Sequence, residues 1–341
     1  MLRRGSNNID AIKNHQETSV RRISLAWPAL LALGLSAGAP AAADTFPSQP
    51  IKFIVPYAPG GTTDLVARTV GKQVADALGQ PVIVENKPGA GGNIGMAQVA
   101  QAVPDGYTVG MGAISTNAVN PHLYQEMKFD PTKDFTPITM LGMSTIVLEV
   151  NPSVPVANVQ EFIAYARQNP GLIYGAAGTG TSMHLAGVLF GQMTGTELAH
   201  VAYKGSAPAL TDMMGGQIQV MFDNLPASLP HIKAGKLKAL AVAGSRRNAQ
   251  LPEVPTIQEA GVAGYAVDPW FALYGPAGMA PDVVARLNQA FRAALESAEV
   301  KTTLENAGFS PQASTPRELA ELSSAEYQRW GEIVDRAQLR N

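Results

Sequence analysis

The chain has 341 residues, a formal net charge of -2 and no cysteine. That length suits two or three small domains or one two-lobed protein. The balanced charge, without a basic stripe, speaks against nucleic acid as a partner. The missing cysteines exclude disulfides, thiolate nucleophiles, iron–sulfur clusters and cysteine-rich zinc sites.

The first readable element is an export signal. Arg21 and Arg22 precede the apolar run ISLAWPALLALGLSAGA at 23–39, and Ala41, Ala42 and Ala43 match a small-x-small cleavage site. Charged, apolar, small is the secretory order. Pro28, Gly34 and Gly38 interrupt the run, which is short for a membrane span. Residues 1–43 are expected to be a signal peptide with a long leader, cleaved near Ala43, and the product to be exported. The paired arginines lack the rest of a twin-arginine motif, which favours the general export pathway. Translation starting near Val20 would account for the long polar leader.

Beyond the signal, strand and helix patterns alternate. Residues 51–56 read as a buried strand. In 62–78, Val66, Val70, Val74 and Leu78 recur every fourth position and make one helix face. Thr62 or Thr63 can cap this helix, Asp64 lies in its first turn, and Gly79 can end it. Residues 81–85 form the next strand, so the unit is βαβ with parallel neighbours. Strands are expected at 107–112, 141–150, 172–176, 217–222, 238–243 and 271–274. Helices are expected at 159–168, after the turn GTGTS at 178–182, and at 206–214, 282–297 and 316–338. The alternation Ile218, Val220, Phe222 reads as a half-buried strand. The class is α/β, and in open α/β sheets ligands bind at the carboxyl ends of strands.

Known catalytic and phosphate motifs fail. PGAGGNIG and GTGTSM both break G-x-G-x-x-G at its last position, and no G-x-x-x-x-G-K-[ST] or G-x-S-x-G occurs. His122, His184, His200 and His231 form no close ligand pair, so no metal or cofactor is expected. The Gly/Thr turns offer something else. Gly60, Gly61, Thr62 and Thr63 open one helix; Gly178, Thr179, Gly180, Thr181 and Ser182 open another. The first amides of a helix lack an internal partner, and the dipole there favours negative charge. Glycine lets such a backbone approach an oxyanion closely. Each turn alone can also be no more than a tight connection; two of them suggest a two-sided site.

The stretches FPSQPIKFIVPYAPGGTTDLVAR, VIVENKPGAGGNIG, AHVAYKGSAPALTDMMGGQIQVMFD and LPEVPTIQEAGVAGY occur in order. This ordered set resembles the Bug (TctC-like) family, the periplasmic solute receptors of tripartite tricarboxylate transporters, and the similarity runs over 47–340. The resemblance implies a two-lobed periplasmic binding protein fold of type II, a Venus flytrap with two crossover strands at the hinge. The crossings are expected near 144–147 and 268–271. Lobe 1 then comprises 44–146 plus 270–341, and lobe 2 comprises 147–269.

It further implies a small carboxylate in the cleft, whether a mono-, di- or tricarboxylate or an aromatic acid. Backbone groups and waters of the first turn would hold it, here Tyr57, Pro59, Gly60, Gly61, Thr62 and Thr63. Asp64 matches the family pattern and either touches the ligand or braces the turn with Arg68. Ser115, Thr116 and Asn117 would complete that wall. Gly178, Thr179, Gly180, Thr181, Ser182 and His184 would face it from lobe 2, with Tyr203, Gly205 and Asp223 as further candidates. Trp270 and Phe271 offer hinge packing or a face for an aromatic ring. The implied partners are membrane transporter subunits or a sensor domain. Two rival readings are a secreted hydrolase using His184 and Asp223, and a sensor partner with a vestigial cleft.

Overall fold

The computed structural model describes residues 46–336. The signal peptide, its cleavage site and the start near Val20 lie outside the described residues. No helix among the described residues is long and apolar enough to cross a membrane.

Two mixed sheets organise the chain. The first has the order β11-β4-β10-β3-β1-β2, built from β1 (Ile51–Val55), β2 (Val82–Asn86), β3 (Thr108–Ala113), β4 (Phe135–Ser144), β10 (Trp270–Pro276) and β11 (Phe309–Pro311). The second has the order β7-β6-β8-β5-β9, built from β5 (Ile146–Val150), β6 (Leu172–Ala176), β7 (Leu198–Ala202), β8 (Val220–Asn224) and β9 (Lys238–Val242). The βαβ expectation holds: β1 pairs in parallel with β2, with Ile51 opposite Val82. The helix between them, α1 (Thr62–Leu78), ends on a left-handed Gly79 as expected. Its cap differs. Gly61 is the N-cap and makes no side-chain cap bond; the Asp64 carboxylate reaches back to the Gly60 N–H instead, at 3.1 Å.

Both faces of each sheet are covered. Phe53 and Val55 point to one cluster with Val70, Phe291 and Leu304, against α1, α8 (Pro281–Glu296) and α9 (Ala298–Asn306). Ile54 points to the other, with Met96, Trp270 and Trp330, against α2 (Asn93–Ala100) and α10 (Pro316–Arg336). Two-sided burial is why these strands read as continuous apolar runs. In the second sheet Phe222 packs with Tyr174, Phe162 and Phe190 beside α4 (Val159–Gln168) and α5 (Ser182–Thr194). Met221 faces the opposite side, with Met183, Leu210 and Met213 of α5 and α6 (Ser206–Met214).

Two strand expectations need correction. The single strand expected at 141–150 is two strands in different sheets, β4 and β5, and the chain passes between the sheets at Thr145. Both are buried, so the apolar run continues without a turn signal. It returns between β9 and β10, where the Val267 N–H donates to Ala243 O and the Ser144 N–H to Pro269 O. The strand at 217–222 is shifted to Val220–Asn224 and is buried along its whole length, because it lies between β6 and β5. Three further helical segments escaped the periodicity reading: α2, α9 and α7 (Leu225–Lys233), the last carrying Pro226 and Pro230. After β3 the chain forms a π-helical turn at Ser115–Val119 and then α3 (Asn120–Leu123).

Candidate functional site

A cavity lies where the two sheets face each other, and most of its wall is made of helix starts. Gly61, Thr62 and Thr63 are the N-cap and first residues of α1; Thr181, Ser182 and Met183 are the same for α5. Ser206 opens α6, Asn224 caps α7, and Ser115 opens the π-helical turn. Their leading amides have no partner within the helix, and their dipoles present positive ends. No Lys, Arg or His lines the cavity. Such an arrangement of neutral donors is suited to an anion. Ala113, Ala177, Tyr57 and Phe271 supply the apolar remainder; Phe271 sits opposite Ala113 in the β10–β3 ladder.

Hydrogen bonds between the two halves close this space. The Ala58 N–H donates to Lys204 O at 2.9 Å. Thr62 Oγ1 donates to Asn224 O at 3.3 Å, and the Tyr124 hydroxyl to Thr179 O at 3.0 Å. Tyr57 lies under the first turn, with its hydroxyl 2.7 Å from Ser115 Oγ and donating to Gly91 O at 3.3 Å. Burial pushes this phenol up to about 12, so it stays neutral.

The first turn is held from behind. Both oxygens of Asp64 are engaged, by the Gly60 N–H at 3.1 Å and by Arg68 Nε and Nη2 at 3.0 and 2.9 Å. Arg68 also reaches Asn86 Oδ1, and Asn86 Nδ2 donates to Tyr57 O at 3.0 Å. Burial raises the Asp64 pKa, but Arg68, the Gly60 N–H and Asn86 together outweigh it and hold the carboxyl below its ordinary value. Asp64 is off the cavity wall, and bracing is the role this geometry supports. Pro59 and Gly60 are exposed on the outer side of the same turn.

His184 is also off the wall. Its Nδ1 accepts from the Gly180 N–H at 3.2 Å, and its ring lies 4.2 Å from that of His200. Burial, with the neighbouring His200, pushes it down to about 3, so it is neutral at physiological pH. It fixes the second turn together with Thr181, whose Oγ1 donates to Gly178 O at 2.8 Å and accepts from the His184 N–H. Gly178, Thr179 and Gly180 form the back of that turn, where Gly178 packs on the Gly91 backbone. Thr116 and Asn117 brace the π-helical turn: Thr116 Oγ1 accepts from the Ala113 N–H and donates to Asn117 Oδ1. Tyr203 donates to Asp212 Oδ2, and Gly205 is the N-cap of α6, packed on Ala58.

Asp223 points away from the cavity into the second half, fully buried beside Glu149. Ser206 Oγ lies 2.5 Å from its Oδ1 and Ser228 Oγ 2.7 Å from its Oδ2; Ser228 Oγ is also 2.9 Å from Glu149 Oε1. Burial raises both carboxyls, Asp223 to about 6 and Glu149, which also feels the Asp223 charge, well above its ordinary value. Both folded-state values stand above the unfolded ones. The stability they carry is therefore complete below about pH 4 and declines as pH rises through about 6 for Asp223, and higher for Glu149. Glu149→Gln removes one titration, so thermal unfolding should show the variant gaining on wild type as pH rises above about 5. A pH-independent difference contradicts this assignment.

Of the sequence candidates, Tyr57, Gly61, Thr62, Thr63, Ser115, Thr181, Ser182 and Phe271 reach the wall. Ser206 and Asn224 were missed, each one residue past a named candidate, Gly205 and Asp223. His184 and Asp223 do not meet in the cavity, so the hydrolase constellation is not assembled there. No group of metal-ligating side chains occurs among the described residues.

Comparison with known proteins places this geometry. The model of the tripartite tricarboxylate transporter family receptor matches residues 66–339. Protein BugT of Bordetella pertussis is 37% identical over 298 residues, covering 87% of this chain and 91% of that protein. The solved structure of R. palustris Rpa4515 with adipate has a TM-score of 0.83 at 37% identity, covering 86% of this chain and 98% of that one. MatC from Rhodopseudomonas palustris with bound malate has a TM-score of 0.81 at 34% identity, covering 85% of this chain and 100% of that one. The two-sheet α/β architecture is the two-lobed type II fold of periplasmic binding proteins. With a cavity walled by helix starts and a family match over most of its length, the chain belongs to the receptors of the tripartite tricarboxylate transporter family.

Proposed function

We propose that this protein captures a small organic carboxylate between its two halves in the periplasm and delivers it to a tripartite tricarboxylate-type transporter. One observation carries the reading: the starts of α1, α5, α6 and α7 and of the π-helical turn converge on one cavity that has no basic side chain. Amide bonds to an ionised group contribute roughly 1.5–3 kcal/mol each, so a few suffice for micromolar affinity, about −8 kcal/mol. The relatives solved with adipate and malate support the same ligand class. Export through the 1–43 signal agrees with the periplasmic setting of the family. The lobes are read as 44–146 plus 270–341 and 147–269, and the wall residues Tyr57, Gly61, Thr62, Thr63, Ser115, Thr181 and Ser182 as ligand contacts.

Closure follows from differential affinity of the ligand for the closed arrangement. The bond from Tyr124 to Thr179 O bridges the halves. Tyr124→Phe should therefore weaken carboxylate affinity by about 0.5–1.5 kcal/mol with little change in fold, as read by calorimetry. Unchanged affinity would remove that bond from the closing contacts. A thermal-shift screen over mono-, di- and tricarboxylates and aromatic acids tests the function itself. A ligand at about 100 times its Kd should stabilise the protein by about 2.7 kcal/mol. No shift with any acid contradicts the proposal.

A further inference from the structure

Ser206 is where the cavity wall meets the buried acids. It lines the cavity, and its Oγ lies 2.5 Å from Asp223 Oδ1. Behind Asp223, Ser228 Oγ lies within hydrogen-bond reach of both Asp223 Oδ2 and Glu149 Oε1. A serine has one hydroxyl proton, so Ser228 cannot donate to both. Its closer partner is Asp223, at 2.7 against 2.9 Å. The contact with Glu149 is then a hydrogen bond only if Glu149 carries a proton and donates. Glu149 is fully buried and its Oε2 has no partner, which favours that neutral form. The chain of bonds runs from Glu149 to Ser228 to Asp223, and Ser206 donates to Asp223 from the other side. The Asn224 N–H adds a third donor to the Asp223 carboxylate.

We propose that Ser206 selects the ligand as an acceptor: with its proton committed to Asp223, it turns only lone pairs to the cavity and favours carboxylates that also carry a hydroxyl or ammonium donor. This rests on the carboxylate reading above. Thr62 and Thr181 also direct their protons away, to the carbonyls of Asn224 and Gly178. Among the lining hydroxyls only Ser206 donates to a carboxylate, which polarises its oxygen and makes it the stronger acceptor. The helix-start amides are donors alone and suit the ligand's carboxylate. An acid without a second donor would leave the Ser206 oxygen facing a C–H group.

The test is calorimetry on the wild-type chain with matched acids differing by one donor: malate and succinate, lactate and propionate, 4-hydroxybenzoate and benzoate. In the pair that holds the tightest binder, the donor-bearing acid should bind at least about tenfold more tightly. Ser206→Ala should bring that ratio close to one, while Ser206→Thr, which keeps the hydroxyl, should preserve it. A purely structural role for Ser206 would lower both affinities and leave the ratio unchanged. Equal binding of both acids by wild type overturns the proposal, as does a preference that survives Ser206→Ala. If Ser206→Ala does not fold, a wild-type ratio near one still overturns it, and loss of the ratio in Ser206→Gly still supports it. Failure of every acid to bind removes the carboxylate reading and this proposal with it; binding without donor preference removes this proposal alone.

Discussion

Gly61→Val abolishes carboxylate binding, whereas Gly61→Ala leaves it nearly intact. Gly61 is the N-cap of α1 and has extended backbone, φ -90° and ψ 179°, which either residue adopts without strain. A Cβ there would lie 3.6 Å from Ser206 Cβ, 3.8 Å from Ser206 N and 3.9 Å from Ala58 O, ordinary van der Waals contact. Alanine fits that space. The two further methyl groups of valine must enter the gap between α1 and α6, covering amides of both helix starts and pushing the halves apart. Calorimetry should find the alanine variant within about threefold of wild type. The valine variant should lose more than about 100-fold, equivalent to about 2.7 kcal/mol, while its melting temperature stays close to wild type. Wild-type affinity in Gly61→Val would remove the first turn from the site.

Gly91→Ala and Gly180→Ala, made on opposite halves, should both hold the protein open. Gly91 has φ 62° and Gly180 φ 78°, a conformation costing a residue with a Cβ roughly 1–2 kcal/mol. Space matters more. A Cβ at Gly91 would overlap Thr179 O, and one at Gly180 would overlap Asn120 Oδ1. Each overlap falls between elements of different sheets, so separating the halves relieves it more readily than repacking either core. X-ray scattering of wild type should show a smaller radius of gyration once the carboxylate is added. Neither variant should contract, and each should bind at least about tenfold more weakly. Contraction like that of wild type in both would show that these contacts do not govern closure.

Much of the fold was legible where one face of an element is wet. Helices at 62–78, 159–168 and 206–214 match the observed bounds, because a polar stripe marks their solvent side. The run NIGMAQVA of α2 is buried at most positions and shows little stripe. In α7, Pro226 and Pro230 read as breakers, although Pro226 sits in the first turn, where it is tolerated. The crossing at Thr145 carries no turn signal, because the strands on both sides are buried; the family resemblance, not the hydrophobic pattern, pointed to 144–147.

The site was legible as turn chemistry and less so as facing. Gly61 to Thr63 and Thr181 to Ser182 reach the wall because helix starts aim their backbone there. Asp223 and Asn224 show the limit. Asp223 follows Phe222 on β8 and shares the face of Met221, which turns its carboxyl toward Ser206 and Ser228. The next residue, Asn224, meets the cavity. Only the packing of α6 and α7 on β8 reveals which of the two neighbours does so. Asp64 was left between ligand contact and bracing; both its oxygens are occupied by Gly60 and Arg68.

The most direct test of a carboxylate site made from neutral backbone donors is calorimetry with the tightest-binding acid and its uncharged methyl ester. The predicted result is one acid per chain at micromolar affinity, about −8 kcal/mol, with the ester weaker by at least about 100-fold. An ester that binds as tightly as the acid would contradict the account.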